Sequence, residues 1–221
     1  MNPYRRPHIE TRQFSDAAGQ VIEYGNRWGA DSPPDDSCSV TSNLERYLPL
    51  HTVAAALIEH LTAAYDVSVD DDLANGADIL HERDDIIRAV RIVPRDPAAA
   101  PLTFVFTSFP SVIVHAGTLV DFLFPFCGCD ACDTPWEYEV DELEWRVLAV
   151  VAGGLSERHS GREFGHTLEA VDGGARSGGE SLIEQVAPER LAAAASVIDS
   201  VPDGWASWPP SPSPLQGDAS A

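Results

Sequence analysis

Three thiols packed into the hexapeptide Cys127-Gly128-Cys129-Asp130-Ala131-Cys132 are the residues of this chain best placed to do chemistry. A Cys-x₂-Cys step lets the backbone turn so that both sulfurs reach one tetrahedral ion at about 2.3 Å. Cys129 and Cys132 have that spacing, and Cys127 precedes them with Gly128 between, free to bend its side chain toward the same point. The amino end of a following helix would favour thiolates, whereas Asp130 and Asp133 oppose them unless a cation is present. A closed zinc site needs a fourth ligand. The candidates are His115, at the end of a predicted strand, Cys38, His51 and one of the two aspartates. Three soft ligands would also suit cuprous copper.

Two other readings compete with the metal knuckle. Cys129 and Cys132 could form a redox dithiol, but in such sites the first cysteine opens the helix, whereas here the helix is expected to start after the second. Alternatively the thiols fill space, since free cysteine is a small apolar residue. Elsewhere the sequence offers less. Its seven histidines make no His-Glu-x-x-His pair, and His51 and His60 stand on opposite sides of one helix. There is no Gly-x-Ser-x-Gly elbow. The run Gly173–Gly179 reads as a flexible loop, and Asp70–Asp72 and Asp84–Asp85 as solvated turns rather than calcium loops.

These residues need elements to hold them. Leu50, Val53, Leu57, Leu61 and Tyr65 recur at helical spacing behind Pro49, which predicts an amphipathic helix over residues 49–65. Val67 and Val69 start a short strand, and β-branched residues 86–93 predict another, ended by Pro94. Leu102, Phe104 and Phe106 alternate with Thr103, Val105 and Thr107, the pattern of a strand with one buried face, and Val112–His115 continue the meander. Thr134, Pro135 and Glu137 read as cap, first turn and capping box of a second helix. That helix buries Trp136, Val140, Leu143, Val147 and Val151, exposes Glu139, Asp141, Glu142 and Glu144, and ends at Gly153. A strand over residues 163–171 and a helix from Pro188 to Val201 complete an α+β fold. Its sheet is mainly antiparallel with three to five strands, packed by about three helices. Residues 1–41 are expected as a loosely ordered arm, 42–208 as a single domain, and 209–221 as a disordered Pro/Ser-rich tail with Trp205 and Trp208 tucked onto the core.

Composition narrows the function. The chain has 221 residues and a net charge of −21, and all 14 basic residues are arginine. Without lysine there is no Schiff base and no phosphate loop ending in Gly-Lys. Nucleic-acid binding is not expected, because no cationic face is available; a basic protein partner is. No apolar run approaches a membrane span and no secretory leader is visible, which predicts a cytoplasmic protein. Zinc is the expected cofactor and partner binding the expected role. The alternative is a metal- or thiol-dependent enzyme whose cleft lies beside the cysteine loop, using His115 or His51.

The segments Pro49-Leu50-His51, Tyr65-Asp66-Val67, Leu102–Thr107 and Cys127–Asp133 resemble an uncharacterised family of actinobacterial proteins, from about residue 45 to Trp208. The cysteine motif is the most specific part of the likeness. The resemblance implies a lineage and a cytoplasmic setting and carries no activity with it.

Overall fold

The computed structural model describes residues 3–160, 163–181, 183, 184 and 186–212. The first helix, α1, spans Leu48–Ala64. Five strands follow: β1 (Val67–Asp71), β2 (Ile86–Pro94), β3 (Leu102–Thr107), β4 (Val112–Ala116) and β5 (Val120–Phe124). They form one antiparallel sheet in sequence order. Helix α2 covers Trp136–Val151. A second antiparallel sheet of three strands then forms from β6 (Leu155–His159), β7 (Phe164–Glu169) and β8 (Arg176–Glu180). Helix α3, Pro188–Ser200, comes last. The α+β expectation holds, with the larger sheet at five strands.

The main core lies between that sheet and the two long helices. Phe104, Phe106, Val114 and Phe122 from the sheet meet Leu50, Leu57 and Leu61 of α1 and Val140, Leu143 and Val147 of α2. Burying each such side chain is worth about 2 kcal/mol, so the helices are held chiefly by this shared face. The opposite face is covered as well: Ala89, Val105 and Ile113 pack under Ile79 and Ile86. All six residues of β3 are therefore buried, not one face of it as its alternation predicted. Ile79, in the segment between β1 and β2, and Ile86, at the start of β2, supply this cover, both outside the strand's own local pattern.

Three other expectations change. Gly173–Gly179 is not a free loop, because Arg176–Glu180 pairs with β7 in register from Gly165↔Glu180 to Glu169↔Arg176. Backbone hydrogen bonds supply what the missing side chains do not signal. Thr134 does not cap α2. Pro135 takes the cap position in extended conformation, and the Thr134 hydroxyl turns to the Cys132 carbonyl at 3.5 Å. Glu139, assigned to the exposed face of α2, is only 5% exposed.

Both ends of the described chain are tied to this frame. Tyr4 donates to Glu144 at 2.8 Å, and Arg6 reaches both Glu144 and Asp141. Residues 3–41 contain little regular structure yet make specific polar contacts, which their composition did not indicate. Near the other end, Trp208 donates its indole N–H to the Ala100 carbonyl at 2.8 Å, and Trp205 donates to Glu157 at the same distance. Ser211 still bonds Ala64. The remainder of the expected tail, 213–221, lies outside the described residues.

Candidate metal centre

Strand β5 delivers the chain into the cysteine loop, and α2 takes it away. Between them the sulfurs of Cys127, Cys129 and Cys132 converge, all within 4.8 Å of one another. Cys127 Sγ lies 3.4 Å from Cys129 Sγ, which lies 3.5 Å from Cys132 Sγ. Tetrahedral zinc with sulfurs at about 2.3 Å sets them about 3.8 Å apart, so small side-chain rotations would seat one ion. All three thiols are free; Cys132 is exposed and the other two are partly so.

Two backbone positions shape the loop. Gly128 is needed for space, not for an unusual torsion: a Cβ there would stand 2.5 Å from the Phe109 ring. The left-handed residue is Asp133, at φ 51°, which turns the chain from Cys132 toward α2. Aspartate tolerates that region better than most residues.

The loop's polar groups are taken up by the N-terminal segment. Asp130 accepts from the Ser42 amide at 2.8 Å and hydroxyl at 2.7 Å, and pairs with Arg27 at 3.1 Å. Asp133 Oδ2 accepts from the amides of Gly25 and Arg27. The amides of Asp130 and Ala131 donate to the carbonyls of Val40 and Ser37. Trp28 donates its indole N–H to the Asp130 carbonyl. Arg46, 2% exposed, donates to the Gly128 carbonyl at 2.9 Å and stacks against the rings of Tyr24 and Tyr47. Residues 25–46 thus form a mould for the loop. Arg46, Arg27 and Ser42 carry no sequence signal of this role, since their partners lie about 80 to 110 positions away.

Electrostatics within the triad favour a single thiolate. The Cys129 thiol is drawn below its usual range, first by the Cys132 amide and then by the Cys127 thiol, with burial opposing. Cys132 is pushed up to about 12, chiefly through its contacts with the Cys127 and Cys129 sulfurs. Three thiolates in one place repel, and a cation is what would allow the second and third to ionise. Burial works against ionised Asp130, but the Ser42 hydrogen bonds and the Arg27 charge outweigh it and hold its carboxyl below the usual range.

The remaining candidates lie in different surroundings. Among the described residues, no fourth Cys, His, Asp or Glu joins the triad. His115 sits on β4 opposite Asp121 of β5, with Nδ1 2.6 Å from that carboxylate. His51 Nε2 is 3.1 Å from the Ser111 carbonyl. Asp130 is engaged by the N-terminal segment through both oxygens, and Asp133 through Oδ2, its Oδ1 being buried without a partner. Cys38 is exposed on the 3-10 turn Asp35–Ser39, the turn whose Ser37 carbonyl receives the Ala131 amide. No described helix is long and apolar enough to cross a membrane.

Fold and site together define an α+β protein carrying a surface triad of thiols close enough to hold one metal ion. The chain belongs to the family of unknown function DUF6226, whose model matches residues 10–212. No curated protein and no solved structure matches it.

Proposed function

We propose that Cys127, Cys129 and Cys132 hold a zinc ion whose role is structural, in a domain that works by binding a partner. The observation that carries this reading is the convergence of three sulfurs within 4.8 Å on a loop moulded by a second segment of the chain. An ion there would fasten β5, α2 and residues 25–46 at one point, so its binding energy would become folding energy for the whole region. Cys38 is the fourth ligand in this reading. Its turn is already hydrogen-bonded to the loop and its thiol is free and exposed, whereas His115 lines a hollow with Asp78, Arg91 and Arg190 that no residue of the cysteine loop shares. The net charge of −21 favours a basic protein as partner.

Metal analysis of protein purified under reducing conditions, with thiol titration before and after chelation, tests the proposal. Support would be one zinc per chain, four thiols that react only after chelation, and a melting temperature that falls on zinc removal. Metal-free protein that reacts at once and melts unchanged with chelator would refute it. Three protected thiols with Cys38 reactive would retain the ion and remove Cys38 from its shell.

A further inference from the structure

Two hollows open beside the cysteine loop, of about 250 Å³ and about 330 Å³. Asp121, Leu123, Phe126 and His166 line both, so they form one groove. Its first end is apolar, walled by Ile79, Leu80, Ile113 and Leu119. Its second end reaches α2 at Tyr138, Glu139, Glu142 and Arg146. Phe126, immediately before Cys127, stands 84% exposed at the rim. An exposed ring over an apolar hollow with a few converging polar groups is the usual form of a small-molecule site.

The charged groups of the groove select the ligand. Arg146 is bonded to Glu142 at 2.8 Å and Arg83 to Asp85 at 2.7 Å, so each guanidinium's charge is already matched by a carboxylate. Asp121 is occupied by His115 and by the Leu80 amide. His166 is neutral, its pKa lowered to about 4 by burial and then by Arg146 and Arg158, and its Nδ1 is buried without a partner. Two carboxylates remain with neither a hydrogen bond nor an ion pair among the described residues: Glu180, exposed at the apolar end, and Glu139, only 5% exposed at the other. Burial, with Glu142 adding to it and the Arg146 charge opposing, raises the pKa of Glu139 to about 7. A carboxyl on a largely buried side chain, unpaired and lining the groove with the exposed rings of Phe126 and Tyr138, matches a cation.

We propose that this groove binds a small amphipathic amine, its apolar body against Ile113, Leu123 and Phe126 and its ammonium on the Glu139 carboxylate. The strongly acidic chain would draw such a ligand in. The site requires nothing of the cysteine triad, so it stands or falls apart from the zinc reading.

Calorimetric titration of the full chain with 2-phenylethylamine, 2-phenylethanol and phenylacetate separates the charge from the ring. The amine should bind about tenfold tighter than the alcohol, the scale of one partly desolvated ion pair, and tighter still than the acid. Glu139→Gln should bring the amine to the level of the alcohol without lowering the melting temperature. Phe126→Ala, at an exposed position that folding does not depend on, should weaken amine and alcohol alike. Equal affinity for all three probes, preference for the acid, no binding by any, or an amine preference that survives Glu139→Gln would overturn the proposal. If Glu139→Gln fails to fold, Phe126→Ala decides: unchanged amine binding there is equally fatal.

Discussion

Asp130 and Ser42 are 88 positions apart, yet the Asp130 carboxylate accepts both the amide and the hydroxyl of Ser42, at 2.8 and 2.7 Å. The contact ties a residue lying between two cysteines to the segment that leads into α1. It makes the shape of the thiol loop depend on residues 25–46, and the seating of those residues depend on the loop. Whatever fixes one end of this contact stabilises the other, because such coupling is reciprocal.

Asp130→Asn keeps the shape of the side chain and removes its charge. Arg27 then loses its ion pair and Ser42 a charge-assisted acceptor, in a site where Asp130 is 3% exposed. Loss of such a buried pair costs about 2–4 kcal/mol. Urea unfolding should show that loss. Under the zinc reading, competition with a chromophoric chelator should show affinity falling by about tenfold to a hundredfold, as when a group supporting the ligands is removed.

Arg46→Lys tests whether geometry or charge holds the loop. Arg46 is buried, and its guanidinium lies 4.5 Å and 4.4 Å from the Tyr24 and Tyr47 rings while bonding Gly128. An ammonium has neither the plane nor the fork to make these contacts together. Thermal melting should place Arg46→Lys close to Arg46→Met, each about 2–4 kcal/mol below the parent. A lysine variant as stable as the parent would show that charge alone suffices.

Glu139 predicts a pH dependence of definite sign. Its native pKa of about 7 lies above the ordinary 4.5, so the folded protein holds a proton that the unfolded chain has released. Its contribution to stability is complete below about pH 4.5 and is lost as pH rises to about 7. Full linkage over that interval would be roughly 3 kcal/mol, and water reaching the groove reduces it to about 1–2 kcal/mol. Melting temperatures of parent and Glu139→Gln should diverge across this window, the variant gaining with pH; parallel curves would contradict it.

His166 gives the opposite slope. Burial first, then Arg146 and Arg158, lower its pKa from 6.5 to about 4, so the unfolded state binds the proton at higher pH. Its contribution is intact above pH 6.5 and is lost as pH falls toward 4. His166→Gln should remove that acid-side loss. Between about pH 4.5 and 6.5 the two groups work against each other, so the parent's own profile should be flatter there than that of either single variant.

Local signals were strong where the chain repeats a pattern that its neighbours use. The helical spacing of Leu50, Val53, Leu57 and Leu61 and of Val140, Leu143 and Val147 is visible along the chain, and these faces are buried as expected. The alternation of residues 102–107 marks β3, and Gly153, at φ 85°, ends α2 as read. The spacing of Cys127, Cys129 and Cys132 marks the three thiols that converge, although the loop that carries them is shaped by residues 25–46.

What the sequence determined by itself, then, is the type of the main elements, the α+β class and the identity of the thiol triad, because each rests on residues a few positions apart. Tertiary structure decided the rest. It covered the second face of β3 and turned the glycine-rich stretch Arg176–Glu180 into a paired strand. It buried Glu139 on a helix face that looked polar, and it wrapped residues 25–46 around the cysteine loop through Asp130, Asp133 and Arg46. The physical reason is common to all of these. Burial and hydrogen-bond partnership depend on groups up to about 110 residues away, and no local periodicity records them.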